Sequence, residues 1–165
     1  MNLVFHTVFS ISNSTICAKK IKENKKLYLS LGFVGNIIAH GVMDILPHDY
    51  PLTRNTDAFI SFAIFLLSIV FVKKEYALCV LSCFFGGVLP DLIDKLILPI
   101  MGFRQFKLFP FHWSNVINFF YKWYKFEMFE LFNILAVLVS LGILLVNIKF
   151  TINNMLRFTK DIKSD

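Results

Sequence analysis

The feature that most constrains this chain is a series of long apolar segments separated by short charged stretches. A helix needs about 20 mostly apolar residues to cross roughly 30 Å of hydrocarbon. The clearest segment runs from Leu27 to Leu46 and ends at Pro47, which cannot continue a helix. Because 56% of the 165 residues are hydrophobic and only 17% are charged, lipid must solvate much of the chain.

The pattern predicts an all-α fold, an integral membrane helical bundle in one membrane domain over residues 1–165. We expect four or five transmembrane helices, over residues 3–18, 27–46, 58–72, 76–98 and 130–148. The first segment is short and carries Ser, Asn and Thr, so it is predicted to be a thin span or a re-entrant helix. Region 101–129 mixes aromatic with basic residues, which is typical of an interfacial helix.

The basic residues predict orientation rather than a nucleic-acid partner, because they lie mainly at the ends of apolar segments. Eleven of the 17 Lys and Arg residues belong to the loop at 19–26, the turn at 73–75 and the tail after 148. We therefore expect these segments and the C-terminus in the cytoplasm, with 47–57 and 99–129 outside. The expected location is the plasma membrane of a prokaryote, and the oligomeric state stays open.

All four histidines and four aspartates fall toward the predicted outer face. A rise of about 1.5 Å per residue places His6, His40 and Asp91 roughly 18–22 Å from the opposite ends of their helices. Three helices therefore bring polar ligands to one level. His40 and Asp44 are four residues apart and Asp91 and Asp94 are three apart, so each pair faces one way from its helix.

A divalent metal is the cation that such a cluster predicts. A carboxylate at mid-bilayer costs at least about 2.5 kcal/mol, and neighbouring carboxylates repel, so they need cations or a wet cavity. Imidazole with carboxylate suits zinc, with manganese or iron as options, and we expect one or two ions. The predicted metal ligands are His6, His40, Asp44, His48, Asp91 and Asp94. The predicted catalytic groups are Asp49 and Asp94.

Three segments carry a family resemblance. The stretch AHGVMDILPHDY, from Ala39 to Tyr50, resembles the His-x-x-x-Asp…Pro…His signature of zinc-dependent phospholipases C and their nuclease relatives. The stretch GVLPDLID, from Gly87 to Asp94, is similar to the Leu-Pro-Asp-x-Asp element of membrane-bound, metal-dependent hydrolases. His6 resembles the N-terminal His of that membrane family. Asp94 falls one position later than in the family element, and Lys95 follows it where the family has His.

The resemblance covers the first two thirds of the chain and implies a metal-dependent hydrolase of phosphoesters. It also implies a metal-ligand role for His112, because FHWS at 111–114 resembles part of the family's His-Arg-Gly-x-Thr-His-Ser element. The residues and the resemblance together predict a membrane-embedded enzyme that cleaves an ester or phosphoester. The expected partners are membrane lipid and a lipid or phosphoester substrate.

Two other functions stay open on the sequence. A transporter or channel component would use intramembrane His and Asp residues to relay protons or ions. A catalytically silent scaffold would use pairs such as His40 and Asp44 only to fasten helices together. Several basic residues on the predicted outer side could steer phosphate, although helix-end anchoring is the commoner reason for them: Arg54, Lys95, Arg104 and Lys107.

Overall fold

The computed structural model describes residues 3–45, 53–122 and 127–157, in which loops connect the helices. These residues also contain one isolated antiparallel β-bridge, between Val72 and Leu156. The helices are α1 (Leu3–Lys20), α2 (Lys25–Ile45), α3 (Arg54–Phe71), α4 (Lys74–Asp91), α5 (Leu98–Ile100), α6 (Ser114–Tyr121), α7 (Glu127–Val146) and α8 (Ile148–Phe150). π-helical segments cover Leu92–Ile97 and Thr151–Met155, and a 3-10 turn covers Pro110–His112. The predicted all-α class is confirmed for the described residues.

Among the described residues, two helices are long and apolar enough to cross a membrane: α2, and the helix Lys74–Ile100 that α4, the π segment and α5 form together. A third candidate arises if Ile134–Val146 and Ile148–Met155, which meet at a bend of 57°, form one broken span. Helix α3 contributes a shorter apolar stretch, Asn55–Phe71. Two to three candidate spans therefore support membrane association by length and composition.

The bundle buries polar side chains and exposes apolar ones, the reverse of a soluble protein. His6 and Ser10 on α1 are at most 1% exposed, whereas Phe59, Ile100 and Val146 are 74–82% exposed. Helix α1 packs against α2, α3, α4 and α7. The polar residues of the first segment thus lie inside the bundle, where neighbouring helices cover them.

The described parts of the three basic segments predicted on one side lie at one end of the bundle. Ile21 follows α1, Val72 lies in the α3–α4 turn and Met155 lies near the described C-terminal end, and all three belong to one buried cluster. The backbone N–H of Lys73 donates to the carbonyl of Met155 at 2.8 Å. The membrane face toward which this end points stays a prediction.

Close helix approach at Gly86 and Gly87 brings α4 against α2 and α1. A Cβ atom on Gly86 would lie 2.2 Å from the backbone oxygen of Phe33 in α2. A Cβ atom on Gly87 would lie 1.9 Å from Oγ of Ser10 in α1. Since any side chain would collide there, the two glycines set the distance between the helices that carry His6, His40 and Asp91.

Region 101–129 is predicted as one interfacial helix, but its described residues 101–122 contain turns at 101–109, the 3-10 turn and the short helix α6, and residues 127–129 begin α7. Residues 123–126 lie outside the described residues. The carboxylate of Asp94 accepts hydrogen bonds from the backbone N–H groups of Leu108 at 2.8 Å and Phe109 at 3.0 Å. These bonds connect the loop to the π segment that follows α4. They place His112 beside Asp94, which residue spacing alone could not indicate.

Candidate metal centre

Four side chains converge at the end of the bundle opposite the basic end. His40 and Asp44 come from α2, Asp91 ends α4, and His112 lies in the 3-10 turn. Each offers one ligand atom, and the four atoms lie within 4.8 Å of one another. His40 is fully buried, and Asp91 and His112 are 4% and 7% exposed. All four are predicted ligands, and together they form a group that could hold a metal ion.

The spacing within this group matches a compact coordination shell. Nε2 of His40 lies 3.4 Å from Nε2 of His112 and 3.3 Å from Oδ2 of Asp44. Nε2 of His112 lies 2.7 Å from that oxygen and 3.3 Å from Oδ1 of Asp91, and Nε2 of His40 lies 3.6 Å from Oδ1 of Asp91. Ligands at about 2.0–2.1 Å from a tetrahedral zinc are about 3.3–3.4 Å apart. The observed separations bracket that value.

Both histidines turn Nε2 toward the centre because their other ring nitrogens are held elsewhere. Nδ1–H of His40 donates to the carbonyl oxygen of Gly87 at 2.6 Å. Nδ1–H of His112 donates to Oδ2 of Asp94 at 2.7 Å. A hydrogen on Nδ1 leaves the lone pair of a neutral imidazole on Nε2. Histidines that bind metals are oriented in this way by carbonyl or carboxylate acceptors.

The centre needs positive charge. If His40 and His112 are neutral, their Nε2 lone pairs face each other and two carboxylates, an arrangement that repels unless a cation lies among them. Burial disfavours the imidazolium form of His112, but hydrogen bonds to Asp44, Asp91 and Asp94 outweigh it and raise the pKa of His112 above its usual 6.5. Protons can thus supply the charge in the metal-free protein, and a divalent ion can replace them.

Lys95 adds a fixed positive charge at the edge of the centre. Its ammonium forms an ion pair with Asp91 and lies 3.6 Å from Oδ2 of Asp44. The side chain is one quarter exposed, so it links the buried carboxylates to the protein surface. Sequence reasoning assigned no site role to Lys95, although its four-residue spacing from Asp91 is a signal that identifies it.

Two further predicted ligands contact the group of four from outside it. Nε2 of His6 lies 3.1 Å from Oδ1 of Asp44, and the His6 ring stacks on His40 with centroids 3.9 Å apart. Asp94 is fully buried, and its carboxylate accepts from Nδ1–H of His112 as well as from two backbone N–H groups. Asp94 thus orients His112. The predicted ligand His48 and catalytic Asp49 lie outside the described residues.

Fold and site together define a class: an α-helical protein with candidate membrane spans and a buried His/Asp centre that could hold a metal ion. Comparison with protein-family models, with curated proteins and with solved structures finds no match to this chain. The geometry of the centre therefore carries the functional argument.

Proposed function

We propose that this chain is a membrane-embedded hydrolase that uses a divalent metal ion, zinc in the first instance, to cleave an ester or phosphoester of a membrane lipid. The supporting observation is the buried group His40, Asp44, Asp91 and His112, with the ligand separations of a compact metal shell. Both nitrogen ligands are oriented by acceptors on their Nδ1 atoms.

The reaction class follows from what such a centre supplies. A divalent ion held by these four residues would polarise the ester and make water acidic near neutral pH. Hydrolysis joins the water oxygen to phosphorus or to the acyl carbon, and the bond to the leaving oxygen breaks as that oxygen takes up a proton. We assign to Lys95 the stabilisation of negative charge on the substrate, because its partly exposed ammonium borders the carboxylates of Asp44 and Asp91.

A silent structural site is the second candidate, and one observation favours it. Four protein ligands complete a tetrahedral shell, and closed shells are typical of structural zinc, whereas catalytic zinc keeps an open position. In that role the centre would only fasten α2, α4 and the 3-10 turn together. The hydrolase requires a fifth coordination position, which zinc can adopt during catalysis.

We also propose that α1, α3 and α7 cross the bilayer with α2 and the Lys74–Ile100 helix, giving the five spans expected from the sequence. In this arrangement the basic end faces the cytoplasm and the metal centre lies toward the outer face. The polar interior of α1 and the apolar exterior of α3 support it. Labelling of single cysteines at Lys22 and Lys122, in a cysteine-free variant in intact cells, should mark only position 122 from outside.

The first experiment is to measure metal per chain by mass spectrometry on detergent-purified protein. Wild type is compared with His40→Ala, Asp91→Ala and the control Lys122→Ala, which removes an exposed charge. We expect one or two zinc or manganese ions per wild-type and control chain, and loss of the metal from both site variants. Metal-loaded protein should then hydrolyse a lipid ester or phosphoester, with at least about a 100-fold lower rate in Asp91→Ala.

The outcomes separate the candidates. A wild type that stays metal-free after zinc is offered would contradict both the hydrolase and the structural metal site. Stoichiometric metal without turnover, across carboxylic esters and phosphoesters of lipids, would support the structural site instead. Turnover that is equal in wild type and Asp91→Ala would show that the hydrolysis arises elsewhere.

A further inference from the structure

A cavity of about 570 Å³ opens beside the metal centre, and His112 forms part of its wall. The remaining wall includes Arg104 and Lys107 from the preceding loop and Trp113 with the start of α6. The volume lies within the range of small-molecule sites, about 300–1,000 Å³. A molecule in this cavity would contact a residue that also belongs to the proposed metal site.

The charge of the wall favours an anion. Among its described lining residues Arg104 and Lys107 are cationic, and none is a carboxylate. The ammonium of Lys107 donates to the backbone carbonyl of Asp94 at 2.5 Å, a neutral acceptor that fixes the side chain without cancelling its charge. The guanidinium of Arg104 offers a planar set of N–H donors that matches a phosphate group.

The wall is also held in place. Nε1–H of Trp113 donates to the carbonyl of Lys107 at 3.0 Å, which joins the loop to the start of α6. Helix α6 begins at Ser114, beside the cavity, and the side chain of its N-cap residue Trp113 makes no capping bond. The N–H of Val116 donates to Oδ1 of Asn115 at 3.0 Å, so the backbone N–H groups of Ser114 and Asn115 are those of the first turn that add to the attraction for an anion already favoured by Arg104.

The surroundings of the cavity are apolar, which favours a lipid over a soluble anion. Phe106 lies in the wall and is 56% exposed, and Phe103 and Leu108 nearby in the chain are 56% and 53% exposed. Trp113 is 44% exposed, as expected of an aromatic residue at a membrane interface. Cationic and apolar groups thus lie side by side, as the recognition of an amphiphile requires.

We propose that this cavity binds the phosphate group of an amphiphilic phosphoester, with Arg104 as the main anion contact and Lys107 as the second. Its place next to His112 would direct the hydrolase toward phosphoesters and away from carboxylic esters. The preference of the hydrolase for phosphoesters rests on the proposed function. Binding of the phosphate group is independent of the proposed function, because Arg104 and Lys107 are outside the metal group.

The test is equilibrium binding of radiolabelled dioctanoyl phosphatidate to the full chain in detergent, once with chelator and once with zinc. Unlabelled dioctanoyl phosphatidate, inorganic phosphate and dioctanoylglycerol serve as competitors. Variants are Arg104→Ala, Arg104→Lys and the control Lys122→Ala, an exposed cation that does not line the cavity. Metal per chain is measured on the same samples, so that loss of the metal is recorded separately from loss of phosphate binding.

We expect saturable binding with and without zinc, weakened about tenfold or more by Arg104→Ala, less by Arg104→Lys, and under about twofold by Lys122→Ala. Unlabelled phosphatidate should compete far better than inorganic phosphate or dioctanoylglycerol. If inorganic phosphate competes as strongly as phosphatidate, the proposal that the ligand is a lipid is wrong and the ligand is a free phosphate. Strong competition by dioctanoylglycerol, or equal affinity in Arg104→Ala, would overturn phosphate recognition. If the wild type holds no metal after zinc is offered yet binds phosphatidate through Arg104, the metal site and the hydrolase fail while the phosphate site stands.

Discussion

The carboxylate of Asp94 accepts a hydrogen bond from Nδ1–H of His112 at 2.7 Å, across a separation of 18 residues in the chain. The same carboxylate holds the backbone N–H groups of Leu108 and Phe109. One buried side chain thus folds the loop after α5 and fixes the direction of Nε2 in His112. Proteins use such carboxylate–histidine pairs to orient metal ligands.

Asp94→Asn should weaken metal binding without abolishing it. The amide keeps one oxygen acceptor but turns an NH2 group toward N–H donors, so at least one of the three donors loses its partner. We expect the zinc affinity to fall about 10–100-fold, measured by competition with a chromogenic chelator. The zinc affinity of His112→Ala should fall further, because this substitution removes a ligand atom. An affinity in Asp94→Asn equal to that of the wild type would contradict the orienting role.

The sequence indicated which residues come together at the centre better than it indicated what each of them does there. His40 and Asp44 share a helix face near the end of α2, and Asp91 ends α4, a helix that runs in the same direction, so their meeting follows from spacing and depth. The role of Asp94 could not be derived, because its partners lie in a loop whose path depends on Asp94 itself. His112 was implied only by the family resemblance, since no periodicity connects a 3-10 turn to α2.

The π-helical segment Leu92–Ile97 is a second feature that the sequence did not reveal. A π turn accommodates one extra residue and changes the direction of the side chains that follow. Hydrophobic periodicity could not indicate it, because apolar residues surround Asp94 and Lys95 on every face of this helix.

Lys95→Met should destabilise the metal-free protein more than the metal-loaded protein. Without metal, the ammonium compensates the carboxylates of Asp91 and Asp44, and its loss leaves buried negative charge. We expect the free energy of unfolding to fall by up to about 3 kcal/mol in chelator. With zinc bound, the difference should shrink, since the ion supplies the charge. Thermal unfolding in detergent, with and without zinc, measures both values.

The control for Lys95→Met is Lys74→Met, an exposed cation at the start of α4. It should change the unfolding temperature equally, and only slightly, in both conditions. A Lys95→Met protein that is as stable as the wild type in chelator would show that Lys95 does not compensate the centre.

Asp57→Asn should loosen the start of α1, which carries His6. The Asp57 carboxylate, on α3, accepts hydrogen bonds from the backbone N–H groups of Leu3 at 2.7 Å and Val4 at 3.1 Å. A carboxylate near a helix N-terminus also interacts favourably with the helix dipole and stabilises the helix. We expect a loss of about 1–2 kcal/mol in the free energy of unfolding, measured by denaturant titration in mixed micelles. Glu75→Gln, an exposed acid in the first turn of α4, is the control and should lose under about 0.5 kcal/mol.

Gly86→Ala should separate α2 from α4 and disrupt the metal centre from a distance. Its Cβ would lie 2.2 Å from the carbonyl oxygen of Phe33, so the backbones must move apart. That movement also shifts the Gly87 carbonyl, which fixes the ring of His40. We expect the free energy of unfolding to fall by about 3 kcal/mol and the zinc affinity to fall at least tenfold, by unfolding titration and chelator competition.

Gly142→Ala provides the matched control, because its Cβ would meet no described atom within 4 Å. In the helix α7 this change should be neutral or stabilising by up to about 1 kcal/mol, since alanine favours helix more than glycine does. Zinc affinity should stay unchanged. If Gly86→Ala behaves like Gly142→Ala in both measurements, the helices do not approach as closely as the contact with Phe33 requires, and the centre does not depend on that approach.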